Sequence, residues 1–336
     1  MPPSRGVSSR PTVGAAEPPA VLEFRGVTKR FGSLVAVEGV DLQIREGQTV
    51  GLVGESGSGK TTCVRLALGL ERPSSGELWF RGRPLPSRHR QLAAVRRQIG
   101  FVFQDPYDSL DPRMTIGDII AEPMRVHGMG QRPMKRVQEL LASVGLPDAQ
   151  LDSRPAAYSG GGRQRIAIAR ALALDPGLLI CDEPTASLDV SVQAQILNLL
   201  QELRAAHGLS MLVVSHDLDI IRRMCDDMVV MYAGRVMESG DAAALRAQPA
   251  HPYTAALLAS VPTTDPTTRA APGAPPPSSA GAPARRDGCV FAGRCPKVQP
   301  VCRHGMPPEV VTVSGRASCR FPLAEPKHVE IGVRYG

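Results

Sequence analysis

Apolar residues in this chain fall into short runs whose period changes several times, and the changes mark out the elements. Val21-Leu22-Glu23-Phe24 and Leu34-Val35-Ala36-Val37 read as early strands. Val40-Asp41-Leu42-Gln43-Ile44 alternates apolar and polar positions, as a half-buried strand does. Thr49 to Val53, Leu178 to Asp182 and Met211 to Val214 are nearly continuous apolar runs of strand length, expected where both faces of a parallel strand are covered. Cys63 to Leu68 reads as helix, and Ile196, Leu199, Leu200 and Leu203 recur at helical spacing between Val192 and Leu203. Met228 to Tyr232 and Arg235 to Glu238 flank Ala233-Gly234, a hairpin signal. Between Thr115 and Ala157 the strand pattern gives way. Ile116, Ile119 and Ile120 form one helical face there, and Val137, Leu140, Leu141 and Val144 form another.

This alternation predicts an α/β domain over about residues 21–261, with a helical insertion at about 115–157. Residues 1–20 are rich in Pro, Ser, Gly and Ala and are expected to form a disordered tail. Residues 262–286, dominated by Pro, Ala, Thr, Ser and Gly, read as a linker. Residues 287–336 read as a separate small unit carrying four cysteines. No internal repeat is visible.

Composition narrows the classes. Of 336 residues 43% are hydrophobic, enough for a substantial core. The net charge of +7 suits ordinary solubility, or a surface near anionic headgroups, as readily as nucleic acid. No Lys/Arg block marks a nucleic-acid arm. No apolar run approaches the roughly 20 residues that span a bilayer. The first 20 residues lack the apolar core of a signal peptide. A cytoplasmic protein with reduced cysteines is therefore expected. Cys63, Cys181 and Cys225 lie in apolar or helical contexts and read as small core residues.

The candidate chemistry begins at Gly54-Glu55-Ser56-Gly57-Ser58-Gly59-Lys60-Thr61-Thr62, which fits the phosphate-binding loop G-x-x-x-x-G-K followed by Ser or Thr. It sits between a predicted strand and a predicted helix. Glycines let backbone N–H groups close on phosphate oxygens, and the helix N-terminus favours the anion. Lys60 can reach the outer phosphates, and the Thr61 hydroxyl can ligate Mg²⁺. Asp182 and Glu183 end an apolar strand. Asp182 is placed to hold a metal shell and Glu183 to polarise a water. Ser159-Gly160-Gly161 precede a helical run from Ile166 to Leu172. They read either as a second anion site or as a plain N-cap.

Taken together these motifs resemble the ATP-binding subunit of an ABC transporter. The phosphate loop resembles its Walker A motif, and Leu178 to Glu183 its Walker B motif with Glu183 at the catalytic glutamate. Ser159-Gly160-Gly161 resemble the signature motif. Gln104 resembles the Q-loop residue, which senses γ-phosphate and shares the Mg²⁺ with Thr61 and Asp182. Ser187-Leu188-Asp189 resemble the D-loop, and His216 the switch histidine. Phe31 lies where the family places an aromatic against adenine. The resemblance implies an ATPase using ATP and Mg²⁺. Its nucleotide-binding residues would be Phe31, Gly54, Ser56, Gly57, Gly59, Lys60, Thr61, Thr62 and Asp182, with Ser159, Gly160, Gly161 and Asp189 acting at a site shared between two protomers. It implies an α/β P-loop NTPase core with an antiparallel β subdomain, a helical subdomain and a small cysteine-containing tail. Position 162 departs from the pattern: the family has Gln there and this chain has Gly, which implies a weakened partner-side site.

Gln104 to Met114, the segment His251-Pro252-Tyr253-Thr254-Ala255-Ala256-Leu257-Leu258 and the cysteine-bearing tail resemble the di- and oligopeptide importers, closest to the second ATPase of each pair. Expected partners are a second homologous ATPase, two membrane permeases and, indirectly, an extracytoplasmic solute-binding protein. The place implied is the cytoplasmic face of the inner membrane. Nickel or another solute is the alternative cargo. An ABC ATPase acting on nucleic acid is disfavoured, because the stretch between Gln104 and Ser159 is too short for a coiled-coil arm. A P-loop kinase would not need the signature and D-loop residues.

The tail reads Cys289-x5-Cys295-x6-Cys302-x16-Cys319. In a reducing compartment, clustered cysteines suggest metal more than disulfides. The spacing lacks the paired knuckles of zinc sites. An iron–sulfur cluster of the 4Fe–4S type, which some members of the resembling subfamily carry, zinc, or four reduced thiols remain the alternatives.

Overall fold

The computed structural model describes residues 18–128, 133–260 and 287–325. The linker expected at 262–286, the end of the tail beyond 325 and most of the N-terminal tail lie outside the described residues. In chain order the strands are β1 (Ala20–Phe31), β2 (Leu34–Arg45), β3 (Thr49–Val53), β4 (Ser75–Phe80), β5 (Arg83–Pro84), β6 (Ile99–Val102), β7 (Leu178–Asp182), β8 (Ser210–Ser215), β9 (Asp227–Tyr232), β10 (Arg235–Asp241), β11 (Glu309–Val311) and β12 (Gly315–Ser318). The helices are α1 (Lys60–Ala67), α2 (His89–Arg96), α3 (Pro106–Ser109), α4 (Ile116–Val126), α5 (Pro133–Ser143), α6 (Gly160–Ala171), α7 (Val190–His207), α8 (Leu218–Met224), α9 (Ala242–Ala247) and α10 (Pro252–Ala259).

Two sheets result. The smaller is antiparallel, in the order β2-β1-β4-β5. The larger runs β11-β12-β10-β9-β3-β8-β7-β6 and is parallel from β9 to β6. The apolar runs explain themselves here: every residue of β3 and β8 is buried. Their side chains alternate between two cores. Val50, Leu52, Ile180, Leu212 and Val214 face the antiparallel sheet and α1. Val53, Leu179, Cys181, Met211 and Val213 face a second core that includes residues of α4 to α8. A one-residue slip in any of these strands would exchange the two sets.

The two early segments from Leu34 to Val37 and from Val40 to Ile44 form one strand, not two. Gly39, in the left-handed region at φ 61°, lies where the β1–β2 register shifts between Val27 and Lys29. The irregularity lets β2 continue after the apolar pattern breaks. The helical faces read from sequence are buried as expected: Ile116, Ile119 and Ile120 on α4, and Val137, Leu140 and Leu141 on α5. Thr115 starts α4 by accepting a hydrogen bond from the Asp118 N–H at 3.2 Å.

The described part of the C-terminal extension is joined to the main body. β12 pairs with β10 through Glu238–Ala317 and Gly240–Gly315, continuing the large sheet. Phe291 is buried in the main core against Tyr232 and Tyr253. The join lies beside a polar cluster. The Glu238 carboxylate is buried and accepts from the N–H groups of Ala250 at 2.7 Å and His251 at 2.9 Å. The His251 Nδ1 caps α10 by accepting from the Tyr253 N–H at 3.0 Å.

Burial pushes the His251 pKa from 6.5 down to about 4, so the ring is neutral in the fold. Burial pushes Glu238 upward, so its contribution to acid stability has the opposite sign. A depressed histidine contributes stability above its ordinary pKa and loses it as the unfolded chain takes up the proton. The stability due to His251 should therefore be full above pH 6.5 and decline as the pH falls toward about 4. His251→Asn, which keeps a capping oxygen, should show a flatter melting temperature across that window. The difference between the two profiles separates His251 from Glu238. Parallel profiles would remove His251 from the acid sensitivity.

Candidate functional site

β3 delivers the chain to a loop, residues 54–59, that turns into α1 at Lys60. Only glycine fits at two points of that loop. At Gly54, φ is 153° and a Cβ would lie 2.2 Å from the Met231 carbonyl oxygen. At Gly59, φ is 105° and a Cβ would lie 2.7 Å from the Ala36 carbonyl oxygen. The loop curls over Lys60, whose Nζ donates to the carbonyls of Gly54 at 2.6 Å and Glu55 at 2.9 Å. Burial lowers the Lys60 pKa, and the carboxylates of Glu183, Asp182 and Glu55 act against that shift.

The loop opens onto a cavity of about 940 Å³. Ser56, Gly57, Gly59, Lys60, Thr61, Thr62, Gln104, Asp182, Glu183 and His216 all line it. The sheet order explains the convergence, because β3, β8, β7 and β6 are successive neighbours. Asp182 ends β7, His216 follows β8 and Gln104 follows β6. This is the carboxyl edge of a parallel sheet, where ligands bind in open α/β folds. Burial raises the Asp182 pKa, the Glu183 charge adds to that shift, and Lys60 and Arg65 oppose it.

Glu183 is the centre of the arrangement. One carboxylate oxygen lies 2.9 Å from His216 Nδ1, and the other accepts from Gln104 Nε2 at 3.0 Å. Its backbone holds φ 46°, unusual for a residue with a side chain, and its N–H donates to the Val214 carbonyl at 2.9 Å. Strained backbone of this kind concentrates at functional sites. Thr61, Gln104 and Asp182 bring hard oxygen donors to the same cavity, a donor set that suits Mg²⁺.

Other expected residues lie elsewhere. Phe31 ends β1, exposed, with the Lys29 ammonium 4.7 Å from its ring centroid, and it is not in the cavity lining. Ser159, Gly160, Gly161 and Asp189 form a second group, also outside that lining. Ser159 caps α6 by accepting from the Gly162 N–H at 3.2 Å, and Asp189 caps α7 by accepting from the Val192 N–H at 2.9 Å. The two caps abut: a Cβ on Gly161 would lie 2.6 Å from Val192 Cγ1. A Cβ at Gly162 would meet the Tyr158 Cβ at 3.1 Å, so a side chain there requires Tyr158 to give slightly.

Sequence reading missed part of the wall. Leu34, Val35, Ala36 and Glu38 come from β2, Ala233 and Gly234 from the β9–β10 turn, and Val290 from the extension. The hairpin signal at Ala233-Gly234 was visible, but nothing in it pointed to this cavity. Val290 carries no signal at all.

Cys289, Cys295, Cys302 and Cys319 line one small apolar pocket with His251 and Phe321. Burial raises the thiol pKa of Cys289, Cys295 and Cys319, the last to about 11. Among the described residues no three His, Cys, Asp or Glu side chains are grouped so as to hold a metal ion. The iron–sulfur expectation thus finds its thiols on one pocket but not in a ligating arrangement.

Comparison with known proteins agrees with this geometry. Residues 37–186 match the ABC transporter family, and residues 237–302 match the oligopeptide/dipeptide transporter C-terminal region. A Brucella abortus (strain 2308) protein, provisionally named a peptide import ATP-binding protein, is 47% identical over 296 residues, covering 86% of this chain and 87% of the relative. A Brucella ovis protein of the same provisional name is 42% identical over 297 residues, covering 85% and 93%. Among solved structures, cbiO1 from Clostridium perfringens, part of an ABC transporter complex, superposes with a TM-score of 0.64 at 29% identity, covering 68% of this chain and 91% of that one. A dimeric ATP-binding cassette in a post-hydrolysis state, bound to ADP and Pi, gives 0.59 at 31% identity, covering 66% and 98%. With relatives this similar along most of its length, the chain belongs to the ABC transporter family as one of its ATP-binding proteins.

Proposed function

We propose that this chain hydrolyses ATP to energise the import of di- and oligopeptides through a membrane ABC transporter. One observation carries the ATPase reading: Glu183 is held by Gln104 and His216 in the cavity that also contains Lys60 and Asp182. The peptide reading is supported by the names of the relatives and by the match of residues 237–302.

In this reading the loop N–H groups and Lys60 hold the phosphates of ATP. Thr61, Gln104 and Asp182 would hold Mg²⁺, which when bound neutralises charge on the transferring phosphoryl group. Glu183 accepts a proton from the attacking water, and His216 orients Glu183 and stabilises the γ-phosphate. Ser159, Gly160, Gly161 and Asp189 act on the nucleotide of a partner ATPase, consistent with their lying outside the chain's own cavity. Gly162 gives that shared site one fewer side-chain donor. Phe31, just before the Leu34 that lines the cavity, would stack on adenine.

The chain works peripherally at the cytoplasmic face of the membrane, with a second ATPase, two permeases and a solute-binding protein. Among the described residues no helix is long and apolar enough to cross a membrane. An iron–sulfur cluster in the tail would require the four thiols to close on a common centre. Iron and acid-labile sulfide in anaerobically purified protein would support it, and an iron-free preparation would remove it.

Glu183→Gln should bind MgATP about as tightly as the wild type while turnover falls on the order of 100-fold or more, the scale of a lost general base. Equilibrium nucleotide binding and steady-state phosphate release check this, and near-wild-type turnover would take Glu183 out of the role. For the transport reading, ATPase activity of the reconstituted complex should rise when the solute-binding protein is loaded with peptide. Stimulation by nickel alone would reassign the cargo. Salt-sensitive stimulation by DNA would move the protein to nucleic-acid work.

A further inference from the structure

The extension reaches the phosphate loop itself. Arg294 grips both carboxylate oxygens of Glu55, at 2.8 and 2.9 Å. Tyr253, in the His-Pro-Tyr segment, accepts the Glu55 backbone N–H on its hydroxyl at 3.1 Å. The Glu55 carbonyl in turn accepts from Lys60 Nζ at 2.9 Å. One residue of the loop is thus held by three groups, two of them far away in sequence. The guanidinium is fixed as well: it lies 5.6 Å from the Tyr232 ring centroid and 5.7 Å from that of Phe291, itself buried. Val290 of the same turn lines the nucleotide cavity directly.

Charge gives the contact its meaning. Glu55 places a carboxylate on a loop built to receive a polyanion. Left alone it would repel the phosphates and compete for the Lys60 charge. The Arg294 fork matches a carboxylate in two parallel hydrogen bonds, fixing its orientation and cancelling its charge. We infer that Arg294, supplied by the C-terminal extension, is a positioning residue of the nucleotide site, which clamps and neutralises Glu55 so that the phosphate loop accepts ATP. The inference rests on the reading of that loop as the ATP site.

The test uses the full chain and a fluorescent ATP analogue alongside steady-state hydrolysis. Arg294→Ala should raise the nucleotide Kd and the KM for ATP about fivefold, the upper scale of a partly exposed ion pair, with kcat within about twofold. The deficit should shrink as salt rises, because the repulsion is screened. Arg294→Lys should recover part of the affinity. In a Glu55→Gln background, where no carboxylate needs neutralising, Arg294→Ala should change Kd little. A merely structural arginine would instead lower the melting temperature and kcat together, whatever stands at position 55. Should Arg294→Ala fail to fold, Arg294→Gln carries the same comparison. Unchanged Kd and KM at low salt, or a deficit that persists with Glu55→Gln, would overturn the inference. A wild-type chain that neither binds nor hydrolyses ATP would sink the ATPase reading, whereas an active wild type with an indifferent Arg294 would sink only this one.

Discussion

A buried ammonium organises this protein. Lys60 sits at the start of α1 with its nitrogen on carbonyls of the loop that precedes it. Removing a charge from water is costly unless it is paired and hydrogen-bonded. Loop carbonyls supply the hydrogen bonds, and Glu183 and Asp182 supply the opposing charge. The tight curl that makes this geometry possible requires Gly54 and Gly59. Around this fixed charge the rest of the site is arranged.

The sheet does the arranging. Because β3, β8, β7 and β6 lie side by side and run parallel, their ends open on one edge. The alternation of Leu179 and Cys181 against Leu178 and Ile180 locks β7 between two cores, so Asp182 and Glu183 emerge at a defined height. Residues far apart in sequence then meet: Gln104 and His216 reach one carboxylate from either side. The antiparallel sheet contributes further lining through Leu34 to Ala36 and Glu38 of β2.

Much of this was legible in the sequence because the physics is local. A strand buried on both faces must be continuously apolar, and a phosphate loop must carry glycines at fixed offsets. The faces of α4 and α5 were readable for the same reason. What escaped depended on distant partners. β6 is four residues long, too short to show a period. β4 has its first three residues exposed, so its apolar content is thin. β12 acquires its place only by pairing onto β10, and β11 by pairing onto β12. The contact of Arg294 with Glu55 spans most of the chain and leaves no trace in any window of residues. Phe291, through which the extension joins the main core, lies in a segment with no apolar period.

Both oxygens of Glu183 are already engaged, one by a side chain arriving after β6 and one by a side chain arriving after β8. Any water that approaches this carboxylate shares an oxygen with one of those neighbours and takes its orientation from it. The arrangement is thus a latch with two keepers, and the posture of one acid is set by two separate loops.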